Sequence, residues 1–244
     1  MLALVVVAGA AAGWAGKDPT HNYPLGDLPR ACAKAPTRRT CINAGVYYLD
    51  KARANVGLPA YKLPADFPAL APARQMFVLT NLDRILYGLP PIPGLTARLN
   101  HDALVNGVWR ATDPLPTNMS GMRSATANWA GWFANAPMAY EAWMWDDGLG
   151  SGNINVDCTR SQPSGCWSHR HAVLWRFGRR AVLAMGAAGG FDSQHNRGYA
   201  MMLVSGDRPD PGRGVRGYSP RYSYTWRRAV ADGAGTNTYD PGTP

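Results

Sequence analysis

Glutamate is almost missing from this chain of 244 residues: Glu141 is the only one, against 15 aspartates. Any chemistry that needs two glutamates is excluded by that inventory. Lysine is scarce as well, with four residues, all before position 63, so most positive charge rests on 21 arginines. No apolar run reaches the ~20 residues that a membrane-spanning helix requires. Phe occurs 5 times against 9 Trp and 11 Tyr, so the aromatic inventory is largely amphipathic. There are 4 cysteines, none at the two-residue spacing of a zinc site.

Hydrophobic residues at 46% suffice for a core and argue against disorder. With Gly 27 and Pro 20, the chain is rich in turns and its elements are short. The length suits one domain of roughly 150–200 residues with extensions. The net charge of +9 is uneven, since residues 166–244 hold 11 Arg and 5 Asp. Such a basic C-terminal third suits an anionic polymer, an anionic lipid surface or nucleic acid, with Arg221, Arg227 and Arg228 as candidate binding residues; the alternative is a solvated cationic face. Arginines and aromatics also interleave over residues 213–228, as in binders of single-stranded nucleic acid. No motif of a nucleic-acid fold accompanies them, so nucleic acid is not the expected partner.

Residues 1–16 read as a signal peptide. Leu2 to Ala12 is apolar, and Ala8-Gly-Ala10 or Ala10-Ala-Ala12 offers a cleavage site. The charged start of such a signal is missing, because the first charge is Lys17; the alternative is a buried N-terminal strand or helix. Cysteine usage agrees with export. Cys32 with Cys41, and Cys158 with Cys166, bracket turn-rich loops, and an even count in an exported chain predicts disulfides. Of three connectivities the local one is favoured, each closure contributing ~2–3 kcal/mol. The expected location is secreted or extracellular, with no transmembrane segment.

Residues 17–72 form an N-terminal extension with one helix, from Thr40 to Val56, with Ile42, Val46 and Leu49 on one face. A second helix is predicted over Ala73–Tyr87. The two end alike, Arg53 being followed by Gly57-Leu58-Pro59 and Arg84 by Gly88-Leu89-Pro90. A third helix spans Thr96–Trp109, and residues 117–128 are a Ser/Asn/Gly-rich loop. The fourth begins after Asn135-Ala136-Pro137, where Pro favours a first turn, and runs to Trp145. Strands are expected over Arg180–Gly186 and Gly198–Ser205, and at an edge over Tyr222–Trp226. Residues 231–244 are a flexible tail.

Chemistry concentrates between Tyr140 and Leu174. Glu141, Asp146 and Asp147 lie on or just after a helix, and the two aspartates sit unfavourably at its negative end. The segment from Cys158 to Cys166 leads into Ser168-His169-Arg170-His171. If the cysteines pair, a carboxylate and the His169 imidazole share one small site. His101 and His171 are expected at the surface. Trp129, Trp132, Trp143 and Trp145 are expected in the core.

These motifs resemble a family. Asn81-Leu-Asp-Arg84-Ile-Leu-Tyr-Gly88-Leu-Pro-Pro-Ile92, Leu99-Asn100 with Ala103, Trp143-Met144, and Ser168-His169-Arg170 with Val173-Leu174 are similar to bacterial SCP-like proteins of the CAP superfamily. The resemblance covers roughly Arg74 to Ser205, within a domain placed at 73–230. It implies an α+β fold, an α-β-α sandwich with a three-stranded antiparallel sheet between helices. It also implies an extracellular protein with a cleft of two His and two Glu that binds a divalent metal in many members. Carried over, His169 matches the second histidine and Asp146 the second glutamate. Ala127 stands where the first glutamate would be, and Asp113 is the only acid near the place of the first histidine. With half the ligands changed, no metal and no cofactor are expected. The resemblance implies a non-catalytic binder of a cell-wall polymer, lipid or protein at the cell envelope. The alternative is an extracellular hydrolase in which His169, with Asp146, acts as general base or holds a metal-bound water. Zinc titration by calorimetry is expected to give no stoichiometric sub-micromolar site, because zinc sites normally have three or four protein ligands. A tight site lost in His169→Ala would reverse that expectation.

Overall fold

Helices α2 (Arg39–Asn55) and α3 (Pro72–Leu86) form where the three- and four-residue apolar spacing predicts them. Their shared ending is a capping device. Gly57 and Gly88 take left-handed φ values of 75° and 70°, which cost a glycine little. The amides of Leu58 and Leu89 then return to the carbonyls of Arg53 and Arg84, at 2.9 and 2.7 Å. The same arginines reach forward, Arg53 Nε donating to the Pro59 carbonyl (2.7 Å) and Arg84 Nε to that of Pro90 (3.2 Å). Both arginines are buried, at 3% and 0% exposure.

The computed structural model describes residues 16–153, 157–209 and 217–243, so the apolar stretch expected to be a signal peptide lies almost wholly outside the described residues. The remaining elements are α1 (Ala31–Lys34), β1 (Gly94–Thr96), α4 (Ala97–Asp102), β2 (Met122–Gly131), α5 (Ala136–Trp145), α6 (Ser168–Val173), β3 (Val182–Phe191), β4 (Arg197–Gly206), β5 (Tyr222–Thr225) and α7 (Trp226–Ala231). Residues 103–108 continue α4 as a π-helical turn, closed by Trp109 N–H to the Leu104 carbonyl. The disulfides are Cys32–Cys41 and Cys158–Cys166, the local pairing.

The expected three-stranded antiparallel sheet is not what forms. The sheet has five strands in the order β2-β4-β3-β1-β5 and is mixed, with β1 parallel to β3 through Leu95 and Met185. Two strands lie in stretches whose composition argues against them. β2 is made largely of small and polar residues, Met-Arg-Ser-Ala-Thr-Ala-Asn-Trp-Ala-Gly, with low intrinsic strand preference. It is a strand because β4 offers it a partner from Gly206 to Gly198. β1 has three residues within a Pro/Gly-rich breaker and is held between β3 and β5.

Both faces of the sheet are apolar. Met185, Tyr199, Met201 and Leu203 join the larger core, while Ala184, Met202 and Val204 join a smaller one with Leu99 and Ala103. Gly186 lets α4 approach, since a Cβ there would meet the Leu99 carbonyl oxygen at 2.2 Å. The larger core runs through both the extension and the domain read from the sequence, joining Ile42, Val46 and Leu49 to Phe77, Trp143 and Met201. Residues read as a flexible tail touch that extension: Gly235 N–H donates to the Lys62 carbonyl, and the Tyr239 hydroxyl to Asn43 (2.6 Å).

A buried carboxylate ties these parts together. Asp83 on α3 receives Arg53 Nη1 from α2 (2.8 Å), the Tyr61 hydroxyl (2.5 Å) and the Tyr140 hydroxyl from α5 (2.8 Å). The Arg53 guanidinium also lies over the Tyr61 ring at 3.9 Å. Removing one partner of such a pair leaves a buried charge uncompensated. Asp83→Ala is therefore expected to cost about 3–5 kcal/mol in urea unfolding with disulfides intact. Tyr140→Phe, which deletes one charge-assisted bond, is expected to cost about 1.5–3 kcal/mol. A loss for Asp83→Ala no larger than for Tyr140→Phe would remove Asp83 from this central role.

Candidate functional site

The site is assembled at the C-terminal end of α5 and the N-terminal end of α6. Asn135 caps α5 by accepting the Met138 amide (3.2 Å), and Pro137 occupies the first turn. Every residue of α5 is buried, so the helix is held rigidly and Asp146 and Asp147 leave its end at a defined place. α6 has no side-chain cap of its own. It follows Trp167, a buried residue at φ 63° in the left-handed region. Asp147 supplies the cap from a distance. Its carbonyl accepts the Trp167 amide (2.9 Å), and its Oδ2 accepts the His169 amide (3.0 Å). A carboxylate at a helix N-terminus is favoured by the unpaired amides and the dipole.

The second oxygen of that carboxylate engages the imidazole, Asp147 Oδ1 lying 2.8 Å from His169 Nδ1. Asp147 therefore holds His169 by both main chain and ring. The His169 side chain is 22% exposed and that of Asp147 3%. Burial pulls the His169 pKa down, but the charge and hydrogen bond of Asp147, with the charges of Asp113 and Asp157, outweigh it. The net result is upward from 6.5. Asp113 lies near the imidazole. Burial raises its carboxyl, opposed in part by the nearby imidazole. The His169 ring thus bonds to one carboxyl group and lies near two more, an arrangement that favours its protonated form.

The placements differ from the sequence expectation in one decisive respect. Asp146 does not meet His169. Its Oδ2 accepts the Asn153 amide (3.1 Å), and its carbonyl accepts Ser151 Oγ (2.6 Å). Asp147 takes the expected role, and no sequence signal separates two adjacent aspartates; the way the chain turns after Trp145 decides between them. Asp113 does join the site, in the region where the resembled family carries its first histidine. Asp157, beside Cys158, adds a further charge near His169 that no sequence motif marks. Glu141 is buried at 1% exposure; burial, with Asp146 nearby, holds its carboxyl well above the usual range. His171 Nε2 lies 2.8 Å from Asp18, and Arg170 is buried, donating to the Met144 carbonyl (2.8 Å) and the Tyr87 hydroxyl (2.6 Å). Trp143 and Trp145 are core residues as expected, whereas Trp132 is 70% exposed. Arg221, Arg227 and Arg228 are exposed and belong to a different part of the fold, around β5 and α7. Among the described residues, no group of three or more His, Cys, Asp or Glu is placed to hold a metal ion.

No protein-family model matches the chain, and neither a curated protein nor a solved structure does.

The raised His169 pKa has a definite sign for stability. The His169–Asp147 contribution is fully present below the unfolded value near 6.5 and is lost as pH rises through the higher folded value. NMR titration is expected to place the His169 ring above 6.5 and to show a fall toward or below it in Asp147→Asn. Unfolding free energy should decline over the same window in the parent chain and stay flatter in the variant. A His169 pKa unmoved by Asp147→Asn would show that the pair is not electrostatically coupled.

Proposed function

We propose that this chain is an exported, CAP-like binding protein of the cell envelope, acting without catalysis and capturing an anionic polymer through its arginine-rich C-terminal face. The observation that carries this reading is the exposure of Arg221, Arg227 and Arg228 along one short stretch at the sheet edge formed by β5 and α7. Among the described residues Arg221 and Arg227 form no ion pair, and Arg228 shares its charge with Asp232 at 3.0 Å. The charge balance agrees, because most of the net +9 falls after residue 165. Export is supported by the two disulfides, and no helix among the described residues is long and apolar enough to cross a membrane.

A second reading has its own support. The 2.8 Å contact of His169 with Asp147 is the geometry of an acid–base pair, which favours an extracellular hydrolase working through His169. The two readings place function at separate sites, so one experiment divides them. Co-sedimentation with purified cell-wall material is expected to weaken as salt rises, because screening shortens from ~10 Å at 0.1 M to ~3 Å at 1 M. Replacing Arg221, Arg227 and Arg228 together by alanine is expected to weaken binding further, and His169→Ala to leave it in place. Binding that ignores salt, or that is abolished by His169→Ala and untouched by the triple change, would move the function to the His169 site.

A further inference from the structure

A groove of about 360 Å³ opens where β1 passes into α4, bounded on its other side by the segment that leads into β5. Its walls carry Thr96, Arg98, Ser120, Ser219 and Arg221. Two of these side chains are guanidinium cations, three are hydroxyls, and no acid lines the groove among the described residues. Acids on neighbouring elements are already engaged. Asp207 receives Arg123 Nε at 2.6 Å, and Asp102 receives the Thr117 hydroxyl at 2.7 Å. Arg98 is held in position, donating to the Asn118 carbonyl (3.2 Å), and Tyr218 lines the same groove. Thr96 accepts the Leu99 amide (3.1 Å), which leaves its own hydroxyl proton to donate.

From this geometry we infer that the groove is the specific binding site for a phosphoryl group carried on a wall polymer of the polyol- or sugar-phosphate class. Guanidinium forks match the paired oxygens of phosphate, and a tetrahedral anion can also accept from hydroxyls placed around it. The volume falls in the range of small-molecule sites, leaving room for a flanking polyol or sugar unit. No large aliphatic side chain lines the groove to enter an acyl layer, which favours a polymer over a lipid surface. The inference rests on the reading that the basic face captures an anionic polymer. It adds where the contact is made, with Arg98 as a residue that the charge count of the C-terminal third does not include.

The test uses the full chain and a purified polyol-phosphate polymer, with polyglutamate and phosphatidylglycerol vesicles as comparisons. Arg98→Ala/Arg221→Ala is expected to lower affinity for the polymer by about tenfold or more, as loss of two charge-assisted contacts would. Arg227→Ala/Arg228→Ala is expected to lower it by about threefold or less, as exposed charges do. Arg98→Lys/Arg221→Lys keeps the charge and the fold but not the fork, and is expected to bind more weakly than the parent. Parent-like binding by both the alanine and the lysine groove variants overturns the inference. If Arg227→Ala/Arg228→Ala still weakens binding in that case, the basic-face reading survives; if neither pair matters, both fail. Equal affinity for polyglutamate would overturn the phosphoryl assignment, and tighter binding to the vesicles would overturn the choice of a polymer.

Discussion

The structure depends on satisfying the buried Asp83 carboxylate away from water. An isolated carboxylate in such a place is expensive, so its position is tolerable only with donors converging on it. Arg53, Tyr61 and Tyr140 come from three separate stretches, and each can reach Asp83 only if α2, the loop after it and α5 are correctly docked on α3. The interaction need not stabilise the chain more than an apolar cluster would. Its consequence is geometric, since it sets how α5 lies. The end of α5 in turn determines where Asp146 and Asp147 emerge.

The same logic recurs at smaller scale around His169. α6 is a six-residue helix with no capping side chain of its own, and Asp147 satisfies its amide and its imidazole together. This leaves two electrostatically opposed regions on a strongly basic chain. Around His169 the ionisable neighbours are Asp147, Asp113 and Asp157, whereas the groove beside Arg98 and Arg221 carries two guanidinium groups and several hydroxyls among its lining residues. Overall charge alone would have hidden the first region, because the +9 balance says nothing of local sign.

The residues behind the family resemblance have local structural work to do. In Arg84-Ile-Leu-Tyr-Gly88-Leu-Pro90 the glycine turns left-handed, and the arginine spans the turn to the proline carbonyl. Arg53 to Pro59 does the same at the end of α2. Asn81, too, is occupied with the backbone, exchanging bonds with the amide and carbonyl of Ile92 at 2.6 and 3.0 Å. A motif of this kind marks how a helix stops, and it can recur wherever a helix must stop that way. The sheet departs from the three-stranded expectation even though these local signatures are present.

What the sequence determined by itself is what nearest neighbours along the chain decide. Apolar spacing located α2 and α3, Asn135 with Pro137 located α5, and the close cysteine pairs located both disulfides. His169 was legible as a chemistry-bearing position at a loop-to-helix junction, whereas Asp113 was reached only through the family resemblance. Tertiary structure alone decided β2, because small and polar residues become a strand only when β4 provides a ladder. It decided the parallel pairing of β1, a contact between Leu95 and Met185, 90 positions apart in the chain. It also chose Asp147 over Asp146, since the two differ only in which way the backbone turns after a buried helix ends, and that turn is set by packing rather than by the identity of either residue.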